Sequence, residues 1–140
     1  MDHPVGLVAV VYASPYIGGG RLPAREWEVE QTDQFGDWFE ALSEDDQEEI
    51  AARVDKLVEF GPGLGRPLVD TVTQSATPNM KELRCGSIRI LFCFDPRQVA
   101  ILLIGGDKRD RWSEWYREFI PVADELYECY LDELRQEGLL

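Results

Sequence analysis

Arg84 and Arg89 flank the dipeptide Gly86-Ser87, and this spacing is enough to bring two guanidinium groups side by side. Gly-Ser suits a two-residue II′ hairpin turn with glycine in its first central position. A loop of that length fixes the register, with Cys85 opposite Ile88, Arg84 opposite Arg89 and Leu83 opposite Ile90. Like charges directly opposite each other destabilise a strand pair by roughly 0.2 to 1 kcal/mol, so the arrangement is easiest to understand if both groups converge on an anion. Phosphate fits, because planar guanidinium forks bind it bidentately. A second reading comes from Glu82, which shares the face: an ordinary surface salt-bridge cluster in which its carboxylate neutralises the pair. The two readings differ at Arg89→Ala. The phosphate reading predicts lost activity with an unchanged or slightly raised melting temperature, and the cluster reading predicts a small loss of stability.

The charge distribution favours an anion site here. Eight of the fourteen Lys and Arg residues fall between Lys81 and Arg117, in a chain of net charge −13. Further along, Gly105-Gly106 is expected to turn the chain into Asp107-Lys108-Arg109-Asp110-Arg111, and a helix bearing Ser113-Glu114-Trp115-Tyr116 follows. Three cations would then lie beside a helix N-terminus, where backbone N–H groups also favour anions. No GxxxxGK[ST] loop exists, and Gly61-Pro62-Gly63-Leu64-Gly65 follows a helix rather than a strand, so it reads as a helix stop and not a dinucleotide fingerprint. Asp95, Asp107 and Asp110 are interleaved with Lys and Arg and make a poor metal site. His3 is the single imidazole, so any acid–base chemistry must proceed without histidine.

Bulk features narrow the setting. Three cysteines, Cys85, Cys93 and Cys129, without CxxC spacing suit a reducing compartment. No run reaches membrane-span length and no convincing secretory signal is present, so a cytoplasmic protein without membrane contact is expected. Acidic runs at 40–59 and 124–137 read as solvated helix faces, and with a pI near 4.4 any nucleic-acid contact must be local.

Residues 1–25, rich in glycine and proline, look like an arm, and 26–140 like one domain. Regular structure is expected to begin with a strand at Trp27–Gln31. A helix capped by Thr32 or Asp33 follows, carrying Phe35, Trp38, Phe39 and Leu42 at core spacing. Ser43 with Asp46 starts a second helix that stops at Gly61-Pro62. Leu68–Thr73, the 81–94 hairpin and Val99–Ile104 supply four strands, the last apolar on both parities and therefore central and covered on both sides. Two helices close the chain, the first carrying Trp112, Trp115, Tyr116 and Phe119 on one stripe, the second started by Pro121. The outcome expected is an α+β layer fold with helices packed on one face of an antiparallel sheet.

The stretch from Met80 to Tyr116, with Leu-Arg-x-Gly-x-x-Arg-Ile-Leu-Phe, Gly-Gly-Asp-Lys-Arg-Asp-Arg and Ser-Glu-Trp-Tyr, resembles the RelE/HigB toxins of type II toxin–antitoxin systems, most closely their phage-derived HigB-like branch. The resemblance implies a compact RelE-like domain over roughly Trp27–Leu134 and a metal-independent endoribonuclease that cleaves mRNA, usually on the ribosome, by attack of a 2′-OH on its neighbouring phosphate. It also implies a cognate antitoxin, often with a helix-turn-helix. By matching position it assigns Arg84 and Arg89 to the phosphate, Lys108 or Arg109 to the leaving oxygen or the phosphate, and Tyr116 to acid–base work or base stacking. Lys81 and Arg111 would contact RNA. A catalytically silent binding module of the same fold, and a gyrase-targeting ParE-type toxin, are the alternatives.

Overall fold

The computed structural model describes residues 26–140 and the backbone of a short strand, β1 (Val8–Val10). The rest of the expected N-terminal arm lies outside the described residues. Thereafter come β2 (Val29–Gln31), α1 (Asp33–Glu40), α2 (Glu44–Phe60), a 3-10 turn at Gly61–Gly63, β3 (Val69–Thr71), β4 (Lys81–Cys85), β5 (Ile88–Phe94), β6 (Ala100–Asp107) and α3 (Trp112–Gln136). One sheet runs β1-β2-β6-β5-β4-β3.

The helix starts follow local chemistry. Thr32 accepts from Phe35 N at 3.0 Å and donates to the Leu103 carbonyl at 2.7 Å, so the N-cap of α1 is tied to the sheet. Ser43 accepts from Asp46 N at 3.2 Å and opens α2. Gly61, at φ +56°, ends it beneath the Trp27 ring, where a side chain would not fit.

Two expectations about the layers are corrected. The sheet is mixed, because β2 pairs parallel with β6 while the remaining pairs are antiparallel. The helices also cover both faces. Ile88, Ile90, Phe92, Ala100 and Leu102 join the core under α1 and α2, whereas Leu91, Cys93, Ile101 and Leu103 join a second core under α3. The cause is legible in β5 and β6 themselves: each is apolar on both parities, and a sheet of that kind must bury both sides. Val99–Ile104 is central and covered twice, as expected.

At the C-terminal end, the two expected helices are one. Pro121 lies inside α3 on its exposed side, where it removes an N–H and leaves the Arg117 carbonyl without its helical donor. Packing outweighs that cost: Trp115 and Ile120 before the proline, and Ala123, Tyr127, Tyr130 and Leu134 after it, all bury on the same sheet face. The aromatic stripe is also incomplete, since Trp112 is 66% exposed.

Gly105 and Gly106 do not turn the chain. They continue β6, paired with Ile90 and Arg89, and the strand ends at Asp107. A Cβ on Gly105 would collide with the Trp38 ring of α1, and one on Gly106 with the Trp115 indole of α3. The glycines are required by close approach from both helical layers, a reason that sequence spacing mimics as a turn.

Candidate active site

The hairpin has the expected geometry. Gly86 takes φ +60° and Ser87 a negative φ, as a II′ turn requires, and Arg84 stands opposite Arg89. Glu82 and Arg84 alternate onto the α3 face, where the first turns of α3 bring Tyr116 down to meet them.

The centre of the site is Glu82, only 4% exposed. Its Oε1 accepts the Tyr116 hydroxyl at 2.6 Å and its Oε2 accepts Arg84 Nε at 2.9 Å. Arg89 Nε lies 3.8 Å from the same Oε2 and makes no hydrogen bond. The two arginines are not equivalent. Arg84 keeps a third of its side chain exposed, and its Nη2 reaches Asp70 at 3.1 Å. Arg89 is buried, with Nη1 donating to the Gly86 and Ile88 carbonyls at 2.7 and 2.9 Å. The like-charge pair is thus resolved within the chain, by a carboxylate between the guanidinium groups and by backbone carbonyls behind one of them. Arg89→Ala is therefore expected to lose stability, in place of the unchanged or slightly raised melting temperature of the phosphate reading, because the change would remove two buried hydrogen bonds and part of the neutralisation of a buried carboxylate.

Lys108 joins from the end of β6. It is buried, its backbone N–H donates to the Ser87 carbonyl at 3.1 Å and its ammonium sits over the Trp112 ring. Burial, then repulsion from Arg89, holds its pKa below the usual lysine range. The hydrogen bond that Arg84 donates to Glu82 holds its pKa above the ordinary value.

The remaining assigned residues lie apart. Arg109 is exposed and reaches Ser87 Oγ at 3.4 Å and Asp107 at 3.6 Å. Arg111 pairs with Glu118 on the outside of α3. Lys81 shares the parity of Leu83 and Cys85, opposite Phe92, and so belongs to the other sheet face. In front of Glu82, Arg84 and Tyr116 opens a cleft of about 480 Å³, lined also by Arg66, Asp70 and Gln74. Residue reasoning missed Glu82 as a centre and Asp70 as a partner. The signal for Glu82 was its parity with Arg84 combined with burial, and burial is a tertiary property.

Residues 37–128, the span that contains every member of this cluster, match the family of phage-derived Gp49-like proteins. The chain belongs to that family. It is 51% identical over 96 residues to a Mycobacterium tuberculosis (strain ATCC 25618 / H37Rv) protein named "Putative toxin HigB3", covering 67% of this chain and 84% of the relative. A second protein of the same strain, "Putative toxin HigB2", is 48% identical over 99 residues, covering 67% of this chain and 49% of the relative. The chain thus spans about half the length of the second. Family and relatives together make this Gp49-like chain a HigB-type toxin of a toxin–antitoxin system. Among the described residues, no helix is long and apolar enough to cross a membrane.

The Tyr116–Glu82 contact has a pH signature. Burial, then the bond to Glu82, pushes the Tyr116 phenol up to about 12. The native state therefore holds this proton more tightly than the unfolded chain, whose phenol titrates near 10. The associated stability is full below about pH 10 and is lost as pH rises from there toward 12. Tyr127, also pushed up to about 12, adds to the same slope. Denaturant midpoints at pH 9 and 11 are expected to fall less for Tyr116→Phe than for the parent, and equal falls would place the bond outside the alkaline transition.

Proposed function

We propose that this toxin is an endoribonuclease that cleaves mRNA by transesterification and is held inactive by a cognate antitoxin. One observation carries the reading: Arg84 and Tyr116 meet on the two oxygens of one buried carboxylate, Glu82, at the wall of an open cleft. A carboxylate–phenol pair can accept and relay a proton, and a guanidinium beside it can hold the phosphate whose neighbour is being deprotonated.

In this mechanism the scissile phosphate lies against the exposed edge of Arg84. The 2′-OH proton passes to Glu82, directly or through Tyr116, while the 2′-oxygen bonds to phosphorus. The P–O5′ bond breaks, and the leaving oxygen takes a proton from the Lys108 ammonium, whose lowered pKa suits it to that donation. The products are a 2′,3′-cyclic phosphate and a free 5′-hydroxyl. Arg89, walled in behind Glu82, is assigned to holding that carboxylate in place and to the local positive potential rather than to direct contact.

The antitoxin, expected with a helix-turn-helix, and ribosome-bound mRNA are the partners this reading implies. Growth arrest with shortened transcripts on induced expression is the expected result, checked by sequencing RNA ends, which should carry 5′-hydroxyls. Arrest with intact RNA and broken DNA would instead point to gyrase. Soluble expression without arrest would point to a silent module.

A further inference from the structure

A second, larger groove of about 830 Å³ adjoins the cleft and shares Gln74 and Tyr116 with it. Its remaining walls include Trp112, Arg117, Ile120 and Pro121 of α3. The opposite wall is the 74–79 loop, and it is built rather than slack. Asp124 of α3 accepts from the Ser75 hydroxyl, from Ala76 N at 3.0 Å and from Thr77 N at 3.3 Å, so the loop is anchored across the helix. Trp112 stands at the mouth, 66% exposed. Lys108 sits over one face of its indole.

We infer that this groove is a nucleobase subsite, in which Trp112 stacks a base next to the phosphate held at Arg84. The inference rests on the ribonuclease reading and deepens it. Three observations select a base over an aliphatic or peptide side chain. The exposed aromatic is held from behind by a cation, which presents a fixed flat platform of the kind single-stranded nucleic acid stacks on. The groove also has a polar group suited to a base edge, the Gln74 amide. Finally, the groove is continuous with the cleft through Tyr116, so a strand whose phosphate meets Arg84 would carry its adjoining base toward Trp112. Arg117 and Lys108 supply positive charge beside it, in a chain otherwise strongly acidic.

The test uses the purified full-length chain and a short single-stranded 2′-O-methyl oligoribonucleotide, which binds without being cut. Stacking of one base is expected to contribute about a tenfold factor in affinity. Trp112→Ala should therefore weaken binding about tenfold with an unchanged Tm, and Trp112→Phe should restore most of it. A single abasic position beside the phosphate held by Arg84, found by walking it along the oligonucleotide, should cost the parent about tenfold and Trp112→Ala little. Equal losses from the abasic site in both proteins, or parent-like binding by Trp112→Ala, overturn the subsite and leave the groove to a protein partner. If Arg84→Ala weakens binding in that case, the ribonuclease reading survives alone. Failure of the parent to bind any oligonucleotide overturns both.

Discussion

Glu82→Gln is expected to lower RNA cleavage about a thousandfold, the scale of a lost general base, and to reduce Tm by about 10 °C through the loss of charge neutralisation around Arg89. The amide keeps the shape and one acceptor for Arg84 or Tyr116, so the geometry survives while the proton acceptor does not. The alternative, in which Glu82 only neutralises a surface cluster, predicts the opposite sign in activity: two arginines released from a carboxylate would bind phosphate better. Cleavage of a defined RNA and thermal unfolding, measured on the same preparation, decide between them. Cleavage equal to or faster than the parent's removes Glu82 from the mechanism.

The second large effect separates the two arginines. Arg84→Ala should cost about 100- to 1,000-fold in cleavage, as removal of one transition-state stabiliser does, with at most about 1 kcal/mol of stability because the side chain is partly exposed. Arg89→Ala should instead lose about 3 kcal/mol, since a buried guanidinium that donates to two carbonyls is deleted. Its activity loss should be partly recovered by Arg89→Lys, which keeps charge behind Glu82. Arg84→Lys, deprived of the planar fork, should recover little. A destabilised Arg84→Ala beside a stable, inactive Arg89→Ala would reverse the roles assigned here.

Much of the site was legible because hairpin register is a counting problem. Gly86-Ser87 set the loop length, and the loop length set Arg84 against Arg89. Thr32 and Ser43 were legible for a similar reason, since capping is settled within three residues. What escaped depends on atoms far apart in the chain. That Arg89 is buried and Arg84 is not follows from where α3 crosses the sheet. Gly105-Gly106 resembles a turn until Trp38 and Trp115 are seen against it. Pro121 reads as a helix start because local propensity cannot register the sheet face beneath Ile120 and Ala123. The second helical layer was implied by the two-sided apolarity of β5 as much as by that of β6, although only β6 suggested it.

The pair of glycines at the end of β6 also constrains how such a chain can change over time. Gly105 receives Trp38 from one layer and Gly106 receives Trp115 from the other, with no room for a methyl group at either position. Each glycine and its tryptophan therefore form a size-matched couple: a larger residue at 106 is tolerable only if 115 shrinks, and likewise for 105 with 38. Because Tyr116 follows Trp115 directly, any such exchange also shifts the phenol that meets Glu82. Sequence drift in this corner must then proceed by paired replacement, and the second couple can change only where a shifted Tyr116–Glu82 contact is tolerated.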